Sequence, residues 1–183
     1  TKIVLPDTIT SIEFSAFFRC GRITEITLPK SLKTIGYGSF RFCSGLTNLV
    51  IPDGVNSIGE LAFLGCSSLE TITLPKSSTS LPYDVFRFCE NLNEIIFEGD
   101  APTLLKREFG QAEAEETSTF ENWGTSESAT VIAKRSATGF GTSFGGLPVK
   151  FIDMIDPIRP SFQSQFSRID STRVEFSFPS EIG

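Results

Sequence analysis

Residues 23–45 read ITEITLPKSLKTIGYGSFRFCSG, residues 46–68 read LTNLVIPDGVNSIGELAFLGCSS, and residues 69–91 read LETITLPKSSTSLPYDVFRFCEN. Laid over one another, the three lines agree column by column. Cys20, Cys43, Cys66 and Cys89 fall 23 residues apart, and Pro6, Pro29, Pro52 and Pro75 keep the same step. So do Phe17, Phe40, Phe63 and Phe86, and the aliphatic sets Ile12, Ile35, Ile58, Leu81 and Ile26, Leu49, Ile72, Ile95. Several independent columns in one register mark a chain of stacked units, each unable to bury its apolar face alone.

The residue types dictate how a unit bends. Ile23–Leu28 alternates, so Ile26 and Leu28 point to one face of a short strand while Glu25 and Thr27 point to the other. Pro29 stops the strand because it has no N–H to give a ladder. Leu32–Ile35 supplies a second extended piece, and Gly36 or Gly59 permits a tight bend. Phe40 and Cys43, three residues apart, predict a short helical turn over 37–43 with both side chains inward. Stacked units then pair through backbone ladders about 4.8 Å apart.

Stacking makes the Cys and Phe columns a structural ladder: Cys20, Cys43, Cys66, Cys89 beside Phe17, Phe40, Phe63, Phe86. Adjacent cysteines would sit within disulfide Cα range, but parallel side chains fit the bond poorly, so reduced core thiols are favoured over a bridge. A file of thiols cannot form a zinc tetrahedron. Asp7, Lys30, Asp53 and Lys76 alternate in sign along another column, which relieves repulsion between stacked charges.

The unit L-x-x-I-x-L-P followed by V-x-x-I-G-x-x-x-F-x-x-C resembles the BspA-like, Treponema pallidum-type leucine-rich repeat over residues 1–97. That resemblance implies a β-rich solenoid, a right-handed coil of 23-residue repeats with short helical turns and a C-terminal cap. It also implies bacterial cell-surface or secreted proteins that contact host, matrix or other cell-surface proteins. The domains expected are repeats over 1–97 (about four to five coils), a capping region over 98–152 with an acidic insertion at 108–127, and 153–183 as a linker and the start of a truncated β-module.

The chain of 183 residues has a formal charge of −6 and no histidine. The missing histidine removes Ser–His–Asp and Cys–His mechanisms and every His-containing zinc site. The acidic balance argues against nucleic acid, and no apolar run approaches the length of a membrane span. Glu25 and Glu94, three coils or about 14 Å apart, are too distant for a paired-carboxylate hydrolase. No cofactor or metal is expected, and no enzymatic activity.

Residues 108–127 hold Glu108, Glu113, Glu115, Glu116, Glu121 and Glu127 and no basic side chain, so they read as a solvated insertion rather than a calcium loop, which would need Asx-rich spacing. Ala129–Lys134 reads as a strand. Ser136–Phe151 resembles the Gly- and aromatic-rich piece that follows BspA-type repeats, with Phe140 where Trp is common; it lacks the spacing of a phosphate loop. Residue 1 is Thr, and the chain reads as a segment of a longer protein.

A non-enzymatic protein-binding or adhesion module is therefore expected, with an accessory repeat region of a larger secreted enzyme as the alternative. Solenoids present rows of side chains on their strand face. On the concave strand face expected here those rows are Glu25, Asn48, Thr71, Glu94 and Thr27, Val50, Thr73, Ile96. A convex set, Phe18, Phe42, Leu64 and Phe88, is a second candidate, with core filling the favoured alternative.

Overall fold

The computed structural model describes residues 1–82, 84–105, 126 and 128–152. The described residues all fall in one compact unit. The expected β-module at 153–183, and all but residue 126 of the acidic insertion at 108–127, lie outside the described residues.

Each repeat contributes one strand to a long sheet. β1 (Lys2–Val4), β3 (Glu25–Thr27), β5 (Asn48–Val50), β7 (Thr71–Leu74) and β9 (Glu94–Phe97) lie in parallel in that order. The register follows the period: Lys2 opposes Glu25, Asn48 opposes Thr71, and Thr71 opposes Glu94. A second set, β2 (Ser11–Ile12), β4 (Thr34–Ile35) and β6 (Ser57–Ile58), forms a parallel sheet of its own. β8 (Ser80–Leu81) pairs with β10 (Thr103–Leu104), so the same step of 23 runs on past residue 97.

Beyond β10 the step changes. β11 (Thr130–Lys134) pairs with β9, Thr130 opposite Glu94, an offset of 36 that exceeds 23 by 13. β13 (Leu147–Ile152) then pairs with β11, Val149 opposite Val131, an offset of only 18. β12 (Ser143–Phe144) closes the order as the antiparallel partner of β13. The sheet thus absorbs one long and one short coil without losing its parallel ladder.

The core lies behind the long sheet. Ile26, Leu49, Ile72, Ile95 and Val131 form one inward file, all buried. The Phe rings stack beside it: Phe17 on Phe40 with centroids 5.1 Å apart, Phe40 on Phe63 at 5.7 Å, and Phe63 on Phe86 at 5.7 Å. Interplanar angles of 5°, 13° and 16° keep the rings near parallel, because the ladder spacing allows only an offset stack. Farther along the sheet Phe97 meets Ala133 across the ladder, and Phe140 and Phe144 pack on Phe97 at 5.3 and 5.6 Å.

The expected helical turns do not form; no helix occurs among the described residues. Over 38–43 the backbone alternates. Ser39, Arg41 and Cys43 donate their N–H back three residues, to Gly36, Gly38 and Phe40. Between them Gly38, Phe40 and Phe42 donate forward, to the carbonyls of Glu60, Ala62 and Leu64 in the next coil. A helix would spend every N–H inside the segment; this chain spends half of them on holding coils together. The alternation requires left-handed backbone at regular places, seen at Ser15, Gly38 and Leu61 and again at Arg19, Phe42, Gly65 and Phe88. Close stacking adds a second demand at Gly59, where a Cβ would fall 2.5 Å from the Tyr37 nitrogen.

Candidate functional site

The eight strand-face residues fall in two registered columns on the face that points away from the core. Glu25, Asn48, Thr71 and Glu94 make one, Thr27, Val50, Thr73 and Ile96 the other. Glu25, Thr27, Asn48, Val50 and Glu94 are exposed, while Thr71, Thr73 and Ile96 are half-buried. The surface is therefore more open toward the first coils than toward the fourth and fifth.

The columns extend beyond those eight residues. Lys2 and Val4 continue them at one end, where the Lys2 Nζ lies 3.1 Å from the Glu25 carboxylate. Thr130 and Ile132 continue them at the other, followed by Lys150 opposite Ile132. Lys2 and Val4 could have been found from the step of 23. Thr130, Ile132 and Lys150 could not, because the offsets of 36 and 18 hide them from any fixed period. The resulting row, Val4, Thr27, Val50, Thr73 and Ile96, is β-branched throughout, with Val4 66% and Val50 48% exposed. Such a row gives a partner methyl surface with hydroxyl groups set at every second coil. Beside it runs a column of mixed polarity, Lys2, Glu25, Asn48, Thr71 and Glu94.

The thiols form a structural file. All four are free; Cys43, Cys66 and Cys89 are buried and Cys20 is half-buried. Each buried thiol donates to the carbonyl of the Phe one coil back: Cys43 to Phe17 at 3.0 Å, Cys66 to Phe40 at 3.2 Å, Cys89 to Phe63 at 3.1 Å. Burial pushes Cys43 up to about 11 and Cys89 up to about 12, and raises Cys66 well above its ordinary value. A thiol held protonated this firmly is a poor nucleophile and a poor metal ligand. Among the described residues no group of three or more acids or thiols could hold a metal ion, and no helix is long and apolar enough to cross a membrane.

The convex set divides. Phe18 and Phe88 are exposed, Phe42 is half-buried and Leu64 is buried. Phe18 and Leu64 belong to one column, Phe42 and Phe88 to the next, so the four do not form a single file. Arginines occupy vacant places in both columns, Arg41 and Arg87 in the first and Arg19 in the second.

Comparison with known proteins agrees with this geometry. A leucine rich repeat protein of T. pallidum is 33% identical, over 55% of this chain and 47% of that one, with a TM-score of 0.52. A leucine rich cell surface protein of Faecalibacterium prausnitzii is 32% identical, over 55% of this chain and 26% of that one, with a TM-score of 0.53. The similarity thus spans less than half the length of either. The pneumococcal vaccine antigen PcpA, 22% identical over 74% of this chain and 31% of that one with a TM-score of 0.53, shares the fold. No curated protein matches the chain. The model of the BspA type leucine rich repeat region matches residues 1–114 in six copies, and with its columns, parallel ladder and turn stack the chain belongs to that family.

Proposed function

We propose that the chain is a non-enzymatic protein-binding module of a bacterial cell-surface or secreted protein, and that it binds through the outward strand face. The observation that carries this reading is the registered row of exposed Val4, Thr27 and Val50 beside Glu25 and Asn48. Side chains on a ladder are held in place by the backbone, so a partner meets a preorganised surface and little side-chain ordering opposes binding. Its similarity to a leucine rich cell surface protein supports a place outside the cell. The partner is a protein of the host, the matrix or another cell surface, and adhesion follows from such binding.

The test is capture of extracellular matrix and host-surface proteins on the immobilised chain, with bound proteins identified by mass spectrometry. A variant carrying Glu25→Ala, Thr27→Ala, Asn48→Ala and Val50→Ala together should lose the captured protein while keeping the wild-type melting curve. Equal capture by that folded variant would exclude the strand face as the binding surface.

A further inference from the structure

The turn stack carries a second surface, built by an exchange of residue types between two neighbouring columns. The first coil has Phe18-Arg19, the second reverses the order to Arg41-Phe42, and the fourth has Arg87-Phe88. The reversal packs two arginines against two rings. The Arg19 guanidinium lies 5.2 Å from the Phe18 centroid and 5.9 Å from that of Phe42; Arg41 lies 5.7 Å and 5.0 Å from the same pair. Ring faces attract the cations and hold the guanidinium planes still. Two positive groups are thereby gathered with no carboxylate in ion-pair distance among the described residues, and Arg41 Nε is buried without a hydrogen-bond partner.

The second of these columns takes the left-handed backbone that every coil of the turn stack requires. Arg19, Phe42, Gly65 and Phe88 have φ of 59°, 60°, 72° and 62°. Gly65 adopts that conformation freely, whereas a bulky side chain does so at a cost. Phe88 nevertheless occupies it while 48% exposed, so core filling does not explain its presence. Gly65 makes room for the Phe42 ring, which packs over it where a Cβ would otherwise stand. The result is a groove of about 470 Å³ floored by Phe42, Gly65 and Phe88 and edged by the hydroxyls of Ser44 and Ser67. Arg19 stands at one end of the lining and Glu90 at the other.

We propose that this groove binds an extended segment of a partner protein, with an acidic side chain at one end, apolar side chains in the middle and a basic side chain at the other. Charge complementarity sets that order. A carboxylate accepts paired hydrogen bonds from the Arg19 guanidinium in the lining, with the charge of Arg41 beside it over the same two rings; apolar side chains cover the Phe42 and Phe88 rings, and a cation meets Glu90. The span fits too: three coil steps of about 4.8 Å make about 14 Å, the reach of roughly four extended residues. A small anion would use only the arginine end and leave the aromatic floor in water. This surface is distinct from the strand face, and either can fail without the other.

The experiment displays random seven-residue peptides with an apolar centre, one acidic end and one basic end, beside a control set in which both ends are basic. The full 183-residue chain is the bait. The mixed-charge set should yield binders, and those binders should weaken at least tenfold against R19E/R41E and against F88A, each checked for an unchanged circular dichroism spectrum. V50E, on the strand face, should bind them as wild type does. Equal enrichment of both sets, or equal binding by R19E/R41E, would overturn the proposal. So would sedimentation showing that a second copy of the chain covers the groove in a dimer that R19E/R41E dissociates.

Discussion

Phe63 lies between the rings of Phe40 and Phe86 and is fully buried, with a neighbour on each face. Phe63→Ala should therefore cost about 3–5 kcal/mol in urea unfolding, more than removal of Phe17, which sits at the half-buried end of the stack. The thiols beside it make a pH prediction. Cys43 and Cys89 ionise near an ordinary 9.0 when unfolded but at about 11 and about 12 when folded. The folded chain keeps its protons longer, so stability is complete below about pH 9 and falls as pH rises toward 11–12. Thermal melts from pH 7 to 11 should show that decline, and replacing Cys43, Cys66 and Cys89 together by Ala should flatten it. The Cys and Phe columns are easy to read in the sequence because every coil gives them the same task. Their hydrogen bond is not, since a thiol that donates to the carbonyl of the previous coil leaves no trace in spacing.

At the scale of the element, the turn over 38–43 shows why a spacing can mislead. Phe40 and Cys43 are three residues apart in a helix and equally so in a turn closed by the Cys43 N–H on the Phe40 carbonyl. What separates the two is where the intervening N–H groups go, and here they go to the next coil. Gly59 lies at the head of such a turn, pressed on the backbone of Gly36 and Tyr37. Gly59→Ala should destabilise by about 1–3 kcal/mol through that crowding, while Ala at exposed Glu60 should be near neutral in the same melt. A different joint ties the bend after β9 to the loop after β11. The Asp100 carboxylate accepts the Thr138 N–H at 2.6 Å, and the Ala101 N–H donates to the Thr138 carbonyl. That hydrogen bond holds the Asp100 carboxyl below its ordinary value. The support it gives is present at neutral pH and is lost as acid titrates the folded carboxylate. Amide exchange at Thr138 should accelerate in Asp100→Ala at pH 7 and in the wild type at low pH; protection unchanged in both would remove this joint from the account.

For the molecule as a whole, the ladder is the unit of organisation. The period predicts β1, β3, β5, β7 and β9 and the outward columns they carry, because each is a repeat of one local pattern. It says nothing of β11 and β13, whose register depends on how many residues leave the sheet between strands, a quantity set by packing rather than by any column. We propose that β11–β13 cover the last apolar layer. A chain shortened to residues 1–105 would bare Ile95 and Phe97 and should associate on gel filtration; a monomer with wild-type melting would refute the covering role. The strand face as a binding surface depends on the same continuity, since its two columns are contiguous only if the long fifth coil returns to register. Spin labels at Glu25 and Thr130 test this by pulsed electron resonance. Four ladder steps place the two backbones about 19 Å apart, and the account predicts one narrow distance distribution near that value plus the label tethers. A broad distribution, or one centred beyond about twice that length, would contradict it.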